Sequence, residues 1–348
     1  MLNLIHDAYA HAWGPLRLLN SFFFLAGAGF AASALITWIA LPLLWRLLPV
    51  DRGRAFAVNA EQSVGKPVSA GLIFVSLFCL FCLIFVPIGA RCLWTIPIVI
   101  AAMFVGYFDD KRGGFSEYTL ALFDLVIAFA AAVAIWGLKD VTIWLPGWRP
   151  EITLSPWYAL PLATGVIWLS INAVNCSDGV DGVSGSLTGT AIMLLGALLY
   201  AVIGNQSVAG HLRLPFNPEG QAWGIMAFLM VGCLAGYLWY NAPPSQVLMG
   251  DSGSRPLGLL IGMLVLATNN PLFLLMIGSV ILLNGVTGLV KVALLRFFRV
   301  RVLAGIRFPL HDHARKELGW SNTQVLVRFM LLHLGLSGLL IIIALKVR

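Results

Sequence analysis

The chain has 348 residues, 59% of them hydrophobic and only 11% charged, with a net charge of +7 and a mean hydropathy of +0.90. Soluble domains carry about 25% charged residues, so the composition excludes a soluble protein and fits an all-α integral membrane protein. The basic excess does not point to nucleic acid, because Lys and Arg gather at the edges of apolar segments, where a lipid bilayer presents its headgroups.

Residues 1–19 are mixed and weakly charged, without the basic start and small-residue cleavage pattern of a signal peptide. A spanning helix needs about 20 mostly apolar residues. Ten segments meet that measure, at roughly 20–46, 68–90, 92–108, 118–137, 156–173, 184–204, 222–241, 255–269, 271–295 and 324–345. The eighth is short, and only Gly89-Ala90-Arg91 parts the second from the third. With no internal repeat and no soluble insertion, residues 1–348 read as a single polytopic membrane domain. Five cysteines (Cys79, Cys82, Cys92, Cys176 and Cys233) lie in or near apolar segments. Cys79 and Cys82 form a C-x-x-C with no second ligand pair, which reads as apolar packing.

Basic residues set the orientation. Loops after odd-numbered segments hold Arg52, Arg54, Lys66, Lys111, Arg112, Arg255, Arg296, Arg299, Arg301, Arg307, Arg315 and Lys316, twelve in all. The opposite side holds seven: Arg17, Arg91, Lys139, Arg149, Arg213, Lys346 and Arg348. The odd-numbered loops are therefore expected in the cytoplasm and both termini outside.

The polar clusters follow the same map. Asp109-Asp110-Lys111-Arg112 comes after the third segment, and the run Asn172 to Gly185, with Asn175, Asp178 and Asp181, after the fifth. Asn241 and the stretch Met249-Gly250-Asp251-Ser252-Gly253-Ser254 come after the seventh, and Pro309-Leu310-His311-Asp312-His313 after the ninth. All four clusters fall on one face, the cytoplasmic one, and the other face has no comparable constellation. Carboxylates at a membrane edge are costly unless they bind something.

Each cluster has a bland reading beside the functional one. Asp109 and Asp110 repel one another, which Mg²⁺ would relieve, yet an acidic helix end answered by Lys111 and Arg112 would look the same. Asp251 sits in a Gly-Ser loop that could hold an anion, place the carboxylate on a metal, or simply turn. His311 and His313 flank Asp312 among arginines, a setting for phosphate contacts or proton transfer as much as for a solvated loop. Arg296, Arg299 and Arg301 suit lipid headgroups or a lipid phosphate. Together the clusters describe a cytoplasmic metal–diphosphate site with a lipid as one reactant.

Gly106-Tyr107-Phe108-Asp109-Asp110, the Asn172–Gly182 run, Trp239-Tyr240-Asn241 through Ser254, His311–Trp320 and the ending from Val327 to Arg348 occur here in one order. In these residues the chain resembles the polyprenyl-phosphate N-acetylhexosamine-1-phosphate transferase superfamily (glycosyltransferase family 4), and within it the phospho-N-acetylmuramoyl-pentapeptide transferases. The resemblance runs from about residue 50 to the end. It implies ten helices with both termini outside, a bacterial plasma (inner) membrane location and a homodimer. It also implies transfer of a sugar 1-phosphate from a UDP-linked N-acetyl sugar to undecaprenyl phosphate, with UMP released and Mg²⁺, or alternatively Mn²⁺, required.

Carried over, the resemblance makes Asp251 a metal ligand, with Asp109 and Asp110 beside the metal and the lipid phosphate. It makes Asn172, Asn175, Asp178, Asp181, Asn241 and Leu248 the nucleotide-sugar pocket, with His311 and His313 helping to hold the donor. The departures are specific. The family's Pro-x-His-His-His-x-Glu reads Pro309-Leu310-His311-Asp312-His313-Ala314-Arg315, and Leu248 replaces a Phe that stacks on uracil. Leu120 stands where a Lys is expected and Asn284 where a Glu is expected, while Lys66–Gly71 is a degraded Gly-Thr-Pro-Thr-Met-Gly-Gly. Lys111, Arg112 and Arg255 are the candidates to supply the missing positive charge to phosphate. The donor expected is UDP-MurNAc-pentapeptide. The alternatives are UDP-GlcNAc or another UDP-HexNAc for a different envelope polymer, and a catalytically silent lipid- or nucleotide-binding scaffold. A transporter would carry ionisable residues at the midplane, and only Asp124 and Lys291 approach that.

Overall fold

The computed structural model describes residues 1–11, 13–53 and 63–347, so Arg54 and Arg348 of the charge count lie outside the described residues. It is a helical bundle of α1 (Leu2–Tyr9), α2 (Phe22–Leu44), α3 (Gly71–Phe85), α4 (Ile96–Arg112) and α5 (Glu117–Trp136), followed by α6 (Pro156–Ser177), α7 (Val183–Ala197) and α8 (Gln206–His211). The chain continues through α9 (Gly220–Asn241), α10 (Asp251–Ala267), α11 (Phe273–Ile277), α12 (Ser279–Phe298), α13 (Leu310–Lys316) and α14 (Asn322–Lys346). Among the described residues, eight helices are long and apolar enough to cross a membrane, and α3 is a shorter apolar one. Each of the ten apolar segments coincides with a helix, although the ninth is broken at Gly278 into α11 and α12. At their polar ends α4, α6 and α10 extend further than hydropathy alone predicts, because the last turns of α4 and α6 and the first turn of α10 carry the polar clusters. Between α5 and α6 stands a hairpin that hydropathy missed, β1 (Val141–Leu145) against β2 (Trp148–Leu154), antiparallel with Val141 opposite Leu154.

The bundle is built in shells. Large apolar side chains such as Phe23, Leu43, Phe129, Leu331 and Ile342 lie exposed on α2, α5 and α14, a surface that only hydrocarbon covers. At the centre is α10, all 17 residues of which are buried. Leu257 to Ala267 is apolar around the whole helix circumference, the pattern of a helix with no face for solvent or lipid. A helix with no exposed end must find partners for its orphan backbone groups elsewhere. At its C-terminus the carbonyls of Leu266 and Thr268 accept from the indoles of Trp136 (3.1 Å) and Trp144 (2.9 Å), and the Ala267 carbonyl from Asn217 Nδ2 (2.9 Å). The hairpin earns its place here, since it brings Trp144, which also packs edge-on against Phe273. The N-terminus of α10 opens into the polar site.

Candidate active site

The C-terminal ends of α4, α6 and α9 meet the N-terminus of α10 at one end of the bundle, and α13 covers them. In the last turn of α4, Asp110 turns towards α10: its Oδ1 accepts the Asp251 N–H (3.1 Å) and its Oδ2 accepts the Ser252 N–H (3.3 Å). It thus acts as an N-cap donated by another helix, with its charge on the positive end of the α10 dipole. Ser69 adds a hydroxyl to Oδ2 at 2.6 Å from a left-handed backbone (φ +72), uncommon for a residue with a Cβ. Two glycines make this approach possible. Gly250 has φ +68, and a Cβ there would strike Asp110 Oδ2. A Cβ on Gly106 would strike the Asp251 carbonyl, so α4 lies directly on the first turn of α10.

Asp109 and Asp251 are both buried, one in the last turn of α4 and the other in the first turn of α10 on which α4 lies. Asp109 Oδ1 also accepts the Phe115 N–H at 2.5 Å, which ties the turn after α4 to the site. Asp251 Oδ2 receives both Nε (3.1 Å) and Nη2 (2.9 Å) of Arg255, one turn along α10. Arg255 is itself buried and gives Nη1 to Asp124 of α5 at 2.5 Å. The sequence reading placed Arg255 with the phosphate-binding residues. The structure puts it in the first turns of α10, held between the carboxylates of Asp251 and Asp124.

Around this floor the loops are fastened to each other. Buried Asn241 accepts the Gly182 N–H (2.9 Å) and donates to the Val247 carbonyl (2.8 Å). Asp181 accepts the Ser245 N–H (3.2 Å), and Lys66 Nζ donates to the Ser245 hydroxyl (3.0 Å). Asn175 reaches Ser254 Oγ (3.0 Å), whereas Asn172 is bonded within α6 to the Trp168 carbonyl (2.9 Å). Asp178 caps the end of α6. Leu248 is half-buried, its backbone paired with Pro67 and Ala70. Lys111 and Arg112 are exposed and lie over the rings of Tyr107 (5.7 Å) and Phe115 (5.3 Å).

The histidine segment forms α13. His311 is buried, and Asn284 of α12 accepts its backbone N–H (3.0 Å) and lies 3.0 Å by its amide nitrogen from Nδ1. The other side of the ring rests on Gly179, where a Cβ would meet Nε2. Burial drives the His311 pKa down to about 4, with Asp312 opposing and Arg315 adding to the shift, so the ring is neutral at pH 7. His313 is half-buried, its Nδ1 accepting the Arg307 N–H (3.4 Å). Asp312 pairs with Arg315 at 2.6 Å, and Arg315 also donates to the Gly179 carbonyl (3.3 Å). The charge reversal at 312 is therefore answered three residues later.

Ser69, Asp124 and Asn284 are part of this constellation in ways the sequence reading did not foresee. Asp124 had a signal, being an acid in a spanning segment, and Asn284 another, as an amide in one. Ser69 had none. Asp109 and Asp251 offer hard carboxylate oxygens, which suit Mg²⁺, an ion that completes its shell with water and phosphate. Among the described residues no group of three His, Cys, Asp or Glu forms a closed metal cage.

The family model described as Glycosyl transferase family 4 matches residues 92–269. A phospho-N-acetylmuramoyl-pentapeptide-transferase from Treponema pallidum (strain Nichols) is 43% identical over 342 residues, covering 96% of this chain and 94% of the relative. A protein of the same name from Nautilia profundicola is 30% identical over 299 residues, covering 83% of this chain and 84% of that protein.

Proposed function

Because this chain belongs to glycosyl transferase family 4 and matches phospho-N-acetylmuramoyl-pentapeptide-transferases along almost its whole length, we propose that it makes the first lipid-linked intermediate of peptidoglycan. It transfers phospho-MurNAc-pentapeptide from the UDP-sugar to undecaprenyl phosphate and releases UMP. The observation that carries this reading is the set of acids at the buried N-terminus of α10, with Asp110 on its first N–H groups and Asp251 in its first turn, in a chain with that full-length similarity.

An oxygen of the lipid phosphate attacks the sugar-bearing phosphorus of the donor. The new P–O bond forms as the anhydride P–O bond breaks, and its electron pair leaves on UMP. A phosphate monoester is nucleophilic near neutral pH, so the step needs alignment and charge neutralisation more than a base. Asp251 and Asp109 would hold Mg²⁺, or Mn²⁺ in its place, which when bound supplies positive charge to the diphosphate oxygens. Asp110 keeps Asp251 in place through the α10 backbone. Asn172, Asn175, Asp178, Asp181, Asn241 and Leu248 shape the nucleotide-sugar pocket. Lys111 and Arg112 sit where exposed cations can meet the lipid phosphate, and neutral His311 with His313 closes over the donor.

In this reading residues 1–348 form one unit that spans the plasma membrane ten times, with α3 and α10 among the spans, the site facing the cytoplasm and both termini outside. It acts as a homodimer. The test is UMP release by purified protein given undecaprenyl phosphate, Mg²⁺ and one of two donors. UMP from UDP-MurNAc-pentapeptide alone is expected. UMP from UDP-GlcNAc alone would make it an initiator of another envelope polymer, and no UMP from either would leave a binding scaffold.

A further inference from the structure

We propose that Asp124 and Arg255 are a buried positioning pair, in which Arg255 orients Asp251 and Asp124 cancels the charge that Arg255 would otherwise impose on it. The inference rests on reading Asp251 as a metal ligand. Arg255 grips a single oxygen of Asp251, Oδ2, with two of its donors. Two charged donors converging on that atom pin the position of Oδ2 more firmly than a single ammonium contact would. A guanidinium so close to a metal ligand also repels the metal, and burial leaves that repulsion poorly screened. Asp124 removes it. Its carboxylate lies 2.5 Å from the far side of Arg255, and both side chains are almost completely buried, at 2% and 4% exposure.

The two helices explain the arrangement. Leu120, where the resemblance leads one to expect a lysine, lies one turn before Asp124 on α5. In this chain α5 therefore offers the site an anion in place of a cation, and the cation arrives from α10. Asp124 holds the guanidinium that grips Asp251, and adds its own negative charge to the site.

The experiment is Mn²⁺ binding to the purified full-length protein without substrate, followed by the paramagnetic signal of free Mn²⁺, alongside steady-state kinetics. In Asp124→Asn, near-isosteric with the parent, the Mn²⁺ dissociation constant should rise by about tenfold, while the donor KM at saturating metal stays unchanged. In the double variant Asp124→Asn/Arg255→Leu, which removes the cation together with its counter-ion, Mn²⁺ should bind at least as tightly as in the parent. Its kcat should fall by about tenfold or more, because Asp251 is no longer oriented. Parent-like Mn²⁺ affinity in a folded Asp124→Asn protein would overturn the charge-cancelling role. If that single variant does not fold, parent-like kcat in the double variant would overturn the pair's role. Asp251→Ala separates the two levels: Mn²⁺ binding that survives it would overturn the metal reading itself, and binding lost there but unmoved in Asp124→Asn would overturn only this inference.

Discussion

At its far end α10 hands the carbonyls of Leu266, Ala267 and Thr268 to two indoles and an amide, and at its near end it hands the N–H groups of Asp251 and Ser252 to a carboxylate. Both ends are buried and both are capped by side chains from other elements. The far end uses neutral dipoles, which satisfy the backbone and do no more. The near end gathers Asp109, Asp110, Asp124 and Asp251 around one arginine. Satisfying two N–H groups requires no such concentration of negative charge, which is costly away from water unless something positive joins it. The difference separates a cap that only finishes a helix from one that also gathers charge a cation could join.

Four changes break or sharpen that contrast. The largest effect is expected from Asp251→Ala, which should lower UMP release by about a thousandfold or more with the protein still folded. Acid comes next, since indoles and amides do not titrate but the ring covering the near end does. The His311 pKa in the folded state, about 4, lies below its ordinary 6.5. The folded protein therefore binds fewer protons than the unfolded one between those values, and stability present above about pH 6.5 is lost as pH falls towards 4, by at most about 3 kcal/mol. His311→Gln should flatten that acid limb in detergent melting curves. Asp110→Asn keeps the shape but removes the anionic cap, and should lower kcat by about tenfold to a hundredfold with the donor KM little changed. At the far end Trp144→Phe leaves the Thr268 carbonyl without its indole, which should cost about 1 kcal/mol in stability with UMP release unaffected. A large loss of UMP release in that last variant would dissolve the contrast.

Much of the architecture was legible in the sequence because hydrocarbon is a demanding solvent: ten apolar runs became helices, since no other structure hides its backbone there. The polar clusters were legible as neighbours through the alternation of the helices. What eluded reading was contact. Nothing in the spacing of Asp110 says that it caps α10, because that bond depends on how closely Gly106 lets α4 approach. The two carboxylates that hold Arg255 could not be read either, because charge is visible in sequence and direction is not. Asp312 looked like a liability near a diphosphate until Arg315 was seen to hold it. The β1–β2 hairpin escaped because its residues are too few and too mixed for a hydropathy scan.

The length of α10 has a consequence for the bilayer. Its 17 residues reach about 25 Å, short of the roughly 30 Å hydrocarbon layer, whereas α2 and α14, which carry the exposed apolar surface, have 23 and 25 residues. Lipids of longer or shorter acyl chain therefore press on the outer helices, which answer by tilting. The central helix is buried along its whole length and pinned at both ends by protein, so the spacing of its polar first turn is insulated from membrane thickness. A cell that remodels its fatty acids with temperature changes the frame around this site and leaves the site's own ruler alone.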